Sequence, residues 1–159
     1  MSSLLRDFRS WPGAKQWLYC LLTTVALLGL AWLFLPHFAD LDNRPSLAQM
    51  LKVAAVAFLF PAFFEETVFR GLLNRSQTRL SIALSTTLFV IWHPIAGYVF
   101  IPSALPYVTD LRFLAFTVVF GVAFCLMRRL TGSMWPPILC HWIVTVTWKA
   151  LGGAQFLTS

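Results

Sequence analysis

The chain has 159 residues, of which 58% are hydrophobic and 11% are charged, and its mean hydropathy is +0.74. A soluble domain of this size needs more polar surface than this charged fraction supplies, so the composition indicates an integral membrane protein. The formal charge of +6 does not indicate nucleic-acid binding, because the basic residues stand at the ends of apolar runs and form no basic stripe. We predict an all-α, polytopic membrane helix bundle that forms one domain over residues 1–159, with the lipid bilayer as its environment and no nucleic-acid partner.

The first predicted span is the apolar run 16–35, which follows a basic segment ending at Lys15. This run is too long for the apolar part of a signal peptide and has no clear small-x-small cleavage site, so a retained helix is predicted. About 20 residues suffice to cross the hydrocarbon. A polar break at 36–46 follows, and we interpret His37 there as an ordinary surface residue. The cysteines at positions 20, 125 and 140 lie in apolar runs without C-x-x-C spacing, which predicts buried, inert thiols.

The second predicted helix, 47–73, contains Pro61 one turn before Glu65, and proline inside a helix removes a hydrogen bond and kinks it. The third helix is predicted at 80–93, where Pro94 and Gly97 end or bend it. The fourth and fifth helices are predicted at 111–127 and 138–151, which gives about five transmembrane helices. The connection 98–110 is apolar for a loop, so we expect it to dip into the membrane or to cover a site.

Basic residues flank one side of these spans, and acidic residues flank the other. The basic positions are Arg6, Arg9, Lys15, Arg75, Arg79, Arg128 and Arg129, and the acidic ones are Asp40, Asp42 and Asp110. By the positive-inside rule this alternation predicts a cytoplasmic N-terminus and an external C-terminus.

Four side chains capable of acid–base chemistry lie inside the predicted spans: Glu65, Glu66, His93 and His141. A charged side chain near a bilayer centre costs about 2.5–3.5 kcal/mol on insertion scales, so such residues are usually functional. At 1.5 Å per residue, the three helices that carry them bring all four to a similar depth, roughly 12–20 Å from the basic joints. Glu66 and Arg70 are four residues apart and can form an ion pair, while Glu65 is turned by about 100° and can face a cavity.

A carboxylate and two imidazoles in a dry cavity can activate a water molecule for attack on a carbonyl. Zinc bound by Glu65, His93 and His141 is the other chemistry that these groups support, but the H-E-x-x-H spacing is absent, so no cofactor is favoured. Each residue also has a structural interpretation. Glu66 and Arg70 can be a structural ion pair, His93 a helix-end residue, and His141 an interfacial anchor. Their occurrence together favours a functional site.

The pattern Glu65-Glu66-x-x-x-Arg70, then Phe89-x-x-x-His93, then His141 resembles the CPBP family of intramembrane endopeptidases (CAAX protease and bacteriocin-processing, or Abi), which is related to the type II CAAX prenyl endopeptidases. The resemblance covers about 47–148, the expected family core. It implies that Glu65 activates water, that Glu66 and Arg70 support it, and that His93 and His141 belong to the site. The family usually has asparagine four residues after the last histidine, where this chain has Thr145, whose hydroxyl can also stabilise an oxyanion.

The resemblance implies a hydrolase: a glutamic-type intramembrane protease that cleaves a membrane-anchored protein near the membrane end of a CAAX-like tail or a C-terminal sorting signal. A metalloprotease form remains an alternative. Short bacterial members of this kind imply the inner (plasma) membrane as the location. A non-catalytic membrane scaffold or a bacteriocin-immunity-type protein on the same core remains open. A small transporter also remains open, although no internal repeat supports it.

Overall fold

A computed structural model describes residues 3–34 and 45–151, and within these ranges the regular structure is entirely helical. The helices are α1 (Ser3–Arg9), α2 (Ala14–Phe34), α3 (Leu47–Leu73), α4 (Arg79–Phe100), α5 (Leu105–Val108), α6 (Leu111–Thr131) and α7 (Trp135–Leu151). The all-α prediction is therefore confirmed for the described residues. Most of the predicted polar break, residues 36–44 with His37, Asp40 and Asp42, lies outside them.

Four helices are long and apolar enough to cross a membrane, namely α2, α3, α4 and α6. Large apolar side chains are exposed on each of them, as expected for a surface in contact with lipid; examples are Leu22, Leu51, Leu80 and Val118. Helix α7 has 17 residues, or about 25 Å at 1.5 Å per residue. That length is short of the roughly 30 Å hydrocarbon layer, so the fifth span stays a prediction.

Helix α3 changes its winding around the two glutamates. The backbone at Phe60 is extended, with φ −144° and ψ 115°, which interrupts the helix beside Pro61 as predicted. Two π-helical stretches, Phe58–Phe63 and Thr67–Leu73, flank a single α-helical turn that carries Glu65 and Glu66. Since π-helical turns are rare and frequently occur at functional sites, this part of α3 differs from an ordinary membrane helix.

The predicted end of the third helix at His93 is wrong. Helix α4 continues through Pro94 to Phe100. Proline is tolerated inside helices of membrane proteins where neighbouring elements support the backbone. Here α5 packs closely against Gly97, where an added Cβ would lie 2.6 Å from Val108 Cγ2. Ile101 N–H then closes the helix on the carbonyls of Ala96 and Gly97. Helix α6 also exceeds its prediction by four residues, from 127 to Thr131.

Helix α1 was not predicted, and it covers the joint between α6 and α7. Ser133 Oγ donates to the carbonyl of Ser10 at 2.7 Å, and Trp135 Nε1 donates to the carbonyl of Phe8 at 2.9 Å. Helix α7 starts at Trp135, and the two prolines that follow in its first turn are fully buried. The basic N-terminal segment is therefore part of the folded bundle.

A buried ion pair links α1 to α6. The Arg128 guanidinium pairs with Asp7 and also donates to the backbone carbonyls of Arg70 and Asn74. The sequence placed Arg128 in a basic surface joint, but its side chain is 1% exposed. Its partner Asp7 is 121 residues away in the chain, so local spacing could not indicate this pair.

Helix α6 packs against α2, α4 and α7, and α7 also contacts α2 and α3. A compact apolar cluster forms where α2, α6 and α7 meet; its buried members are Cys20, Leu27, Phe124, Met127 and Cys140. The three cysteines are free and buried, as predicted. This packing fixes α6 and α7 relative to each other beside the carboxylates of α3.

Candidate functional site

Four ionisable side chains meet inside the bundle. Glu65, Glu66 and Arg70 come from α3 and His141 comes from α7, and each is at most 6% exposed. Burying charged groups is costly unless they are paired and hydrogen-bonded. The arrangement of partners around each group therefore shows which are held in place and which remain available.

Glu66 lies between Arg70 and His141. Its Oε2 is 3.2 Å from Arg70 Nε, and its Oε1 is 2.8 Å from His141 Nδ1. The predicted Glu66–Arg70 ion pair is thus confirmed. Because a carboxylate only accepts hydrogen bonds, the proton of His141 is on Nδ1, and Nε2 points away from Glu66. A carboxylate that holds an imidazole in one tautomer and orientation is a common device in hydrolase sites.

The guanidinium of Arg70 is enclosed by aromatic rings. Its Cζ lies 3.9 Å from the ring centroid of Phe89 and 5.3 Å from that of Phe124. Its Nη2 donates to the carbonyl of Gly121 at 3.5 Å. Cation–π contacts of this kind strengthen when desolvated, so they stabilise a buried cation. Arg70 therefore holds Glu66 in place from within the bundle. It does not line the cavity that is described below.

Glu65 has a different environment from Glu66. Its Oε1 accepts a hydrogen bond from Trp92 Nε1 at 2.8 Å, and its Oε2 lies 3.9 Å from His141 Nε2. That Oε2 is buried and accepts no hydrogen bond from any described residue. Glu65 lines the cavity and Glu66 does not. The predicted division, with one carboxylate neutralised by arginine and the other facing a cavity, is confirmed.

His93 and Thr145 line the same cavity as Glu65 and His141. His93 is half-buried, and its Nδ1 lies 2.8 Å from the carbonyl of Phe89. Since a carbonyl only accepts, Nδ1 carries a proton, and Nε2 of the neutral ring is an acceptor. The Phe89 ring contacts both imidazoles edge to face, with its centroid 4.7 Å from that of His93 and 5.9 Å from that of His141. Thr145 is one turn beyond His141 in α7.

The cavity has a volume of about 670 Å³ and is lined mainly by apolar side chains. It extends from Glu65 and His141 along α2, α4, α6 and α7 to the 3-10 turn and α5. Four residues of that connection line it: Ile101, Ala104, Tyr107 and Val108. The expectation that the apolar connection covers a site therefore agrees with the structure, although Tyr98–Phe100 belong to α4.

The zinc alternative required Glu65, His93 and His141 to converge as ligands. Within residues 3–34 and 45–151, no group of three or more His, Cys, Asp and Glu side chains is arranged to hold a metal ion. Nδ1 of His93 lies on a backbone carbonyl and Nδ1 of His141 on Glu66, so each ring has only Nε2 left as a possible metal donor. As placed in this structure, Glu65, His93 and His141 do not converge as a three-ligand zinc site.

Trp92 is the site residue that the sequence did not reveal. It lies 27 residues from Glu65, and an indole next to His93 has no spacing signal that distinguishes it from an apolar packing residue. The enclosure of Arg70 by Phe89 and Phe124 was also not predicted, although Phe89 is part of the quoted pattern. Both features depend on the packing of α3 against α4 and α6, which the sequence does not state.

The fold and the site define a class: an integral membrane protein built as a helix bundle, with a buried glutamate–histidine cluster at an apolar cavity. A family model described as type II CAAX prenyl endopeptidase Rce1-like matches residues 47–147, and the chain belongs to this family of CAAX proteases. Neither the curated proteins nor the solved structures gave a match. The matched range includes every predicted site residue, from Glu65 to Thr145. Their individual roles stay predictions.

Proposed function

We propose that this protein is an intramembrane endopeptidase of the glutamic type, which hydrolyses a peptide bond near the membrane end of a protein tail. One observation carries the proposal. Glu65 lines the cavity, and its buried Oε2 lies 3.9 Å from His141 Nε2 and accepts no hydrogen bond from the described residues. A carboxylate with one oxygen hydrogen-bonded and the other without a donor suits a general base. Membership of a CAAX protease family supports the same activity.

In this mechanism Glu65 takes a proton from a water molecule as the water oxygen attacks the carbonyl carbon of the peptide bond. Trp92 fixes the other oxygen of Glu65, so the base keeps its direction. His141, oriented by Glu66, and His93 each present an Nε2 acceptor that positions the attacking water, and the Thr145 hydroxyl is the donor for the charge on the tetrahedral intermediate. The proton held by Glu65 then passes to the leaving amine as the C–N bond breaks.

We propose that the chain crosses the membrane five times, with α7 as the fifth span and the N-terminus in the cytoplasm. The basic residues Arg75, Arg79 and Arg129 lie at one end of the bundle, and the cavity extends toward the other end. The cavity would then open toward the outer face of a bacterial inner membrane. The substrate would be a membrane-anchored protein with a CAAX-like tail or a C-terminal sorting signal.

The direct test is cleavage of tail peptides by purified protein with Glu65→Gln. General acid–base groups contribute about 10²–10⁴-fold, so we expect kcat to fall by that factor. Asp110→Asn is the matched control, since it removes a carboxylate outside the cavity and should leave the rate unchanged. Wild-type cleavage by Glu65→Gln would refute the mechanism. A strong chelator should leave the cleavage activity intact. Loss of activity in the chelator would restore the zinc alternative.

The second candidate is a non-catalytic scaffold or a bacteriocin-immunity-type protein on the same core. Thr145 at the position of the family asparagine favours it. Alanine at His93 or His141 distinguishes the two functions when protein level stays normal. An enzyme loses activity in both variants, whereas a scaffold keeps its cellular function.

A further inference from the structure

Lys149 is a cation in the wall of the cavity, far from the glutamates. It lies eight residues beyond His141 in α7, or about 12 Å along the helix axis at 1.5 Å per residue. Its side chain is half-buried and lines the same cavity as Glu65 and His141. The wall between the two positions is mainly apolar. The cavity therefore has an acid–base group at one end and a positive charge toward the other.

The acidic residues of the described chain are committed to other partners. Asp7 pairs with Arg128, Glu66 with Arg70, and Asp110 with Arg112. Glu65 binds Trp92 at the far end of the cavity. Among residues 3–34 and 45–151, no carboxylate lies within 4 Å of the Lys149 ammonium. A half-buried cation beside an apolar cavity, without an internal counter-ion in this part of the chain, is a site for an anionic ligand.

We infer that Lys149 binds a carboxylate of the substrate at a fixed distance from the bond that is cleaved; this inference depends on the proposed endopeptidase function. An extended chain covers about 3.3–3.6 Å per residue, so 12 Å corresponds to roughly three to four residues. The carboxylate is either the free C-terminus of a tail or an Asp or Glu side chain at that spacing. The intervening residues are apolar, to match the wall. Lys149 is thus a specificity-determining residue, while Glu65 carries out the reaction.

The test uses fluorescently labelled peptides with an apolar segment after the cleaved bond. One pair ends three or four residues beyond that bond as a free acid or as an amide, and a second, longer amidated pair carries Asp or Asn at the same distance. For the peptide with the carboxylate, Lys149→Gln should raise KM about 10- to 100-fold, because a hydrogen bond to a charged group is lost. Its kcat should not change, since this contact is the same in the ground state and the transition state. Lys149→Arg should restore most of the binding.

Lys52→Gln is the matched control, because Lys52 is exposed near the first turns of α3 and does not line the cavity. It should leave both KM and kcat at wild-type values. The pair of peptides that shows the effect identifies the source of the carboxylate. The inference is overturned if Lys149→Gln changes neither pair, if it lowers kcat for all peptides alike, or if it alters only the response to anionic lipid in vesicles.

Binding of the same peptides to Glu65→Gln separates this inference from the proposed function. If the wild type cleaves the peptides but the Glu65→Gln protein binds acids and amides equally, the role of Lys149 is wrong and the enzyme remains. If the wild type cleaves nothing while Glu65→Gln binds the acid at least 10-fold better in a Lys149-dependent way, the carboxylate site remains and the endopeptidase function is wrong.

Discussion

Charged side chains are enclosed and paired at one end of the bundle, and they line a cavity at the other. At the end formed by α1 and the joint of α6 and α7, Arg128 is 1% exposed and its donors all go to Asp7 and to backbone carbonyls. At the other end, Lys149 and Glu65 line an open apolar cavity. The closed end fixes the position of α3 relative to α6, because Arg128 binds the carbonyl of Arg70 directly. The open end leaves room for a ligand beside the group that α3 presents.

This difference indicates how a small membrane protein can keep a carboxylate available in its interior. The stability that holds Glu66, Arg70 and His141 comes from one side, where each buried charge has a partner. On the other side the side chains do not pack closely and leave a cavity of about 670 Å³. Variants at the closed end should therefore change the free energy of unfolding most, and variants at the open end should change ligand binding more than stability. Three comparisons of unfolding test the stability part of this contrast.

The largest effect on stability is expected for Arg128→Met at the closed end. Removing one partner of a buried ion pair typically costs about 3–5 kcal/mol, and here two backbone carbonyls also lose their donor. The measurement is thermal unfolding in detergent micelles, with Arg129→Met as control because the neighbouring Arg129 is exposed. Equal Tm values for the two variants would show that the Asp7–Arg128 pair does not close this end.

A smaller effect is expected for Gly121→Ala, compared with Gly29→Ala. An added Cβ at Gly121 would lie 2.8 Å from Thr86 Cγ2, and overpacking of this kind costs about 1–3 kcal/mol. At Gly29, beside the cavity, an added Cβ meets nothing within 4 Å. Alanine in place of glycine inside a helix then stabilises by about 0.5–1 kcal/mol. Denaturant unfolding should show opposite signs, and a loss in both variants would contradict the contrast.

The smallest effect is expected at Asp110, which caps α6 outside the cavity. Hydrogen bonds from Arg112 hold the pKa of this carboxyl well below its ordinary value. A lowered folded-state pKa stabilises the protein above the unfolded pKa of about 3.9, and the stabilisation is lost as pH falls through the folded value. The Tm difference between wild type and Asp110→Ala should stay constant from pH 7 to about pH 5 and shrink in acid below that. Asp110→Asn keeps a side chain that can cap α6, so its Tm should fall less than that of Asp110→Ala. A difference that grows in acid would contradict this assignment.

The sequence predicted features that depend on local spacing. The Glu66–Arg70 pair follows from four residues in one helix, and the interruption of α3 follows from Pro61. The long apolar runs predicted α2, α3 and α6 to within a few residues. The convergence of Glu65 and His141 was also predicted, because depth in a membrane can be counted from the charged joints.

The features that the sequence did not reveal depend on contacts between distant segments. Asp7 and Arg128 are 121 residues apart, and each is an ordinary charged residue in its own segment. Helix α4 continues past Pro94 because α5 packs against it, which no pattern inside α4 states. The indole of Trp92 reaches Glu65 only after α3 and α4 are packed. Local chemistry therefore indicated which residues form the cluster, and tertiary packing decided how each one is held.

The paired prolines of α7 allow a helix to begin in a dry interior. The first four amide groups of a helix have no partner within it, so a buried start normally leaves unmet donors. Here Trp135 N–H donates to Ser133 Oγ and Ile138 N–H donates to the carbonyl of Met134. Pro136 and Pro137 have no N–H to satisfy. The helix thus needs neither water nor a lipid headgroup at its origin, and its histidine can stand only six residues from the first one.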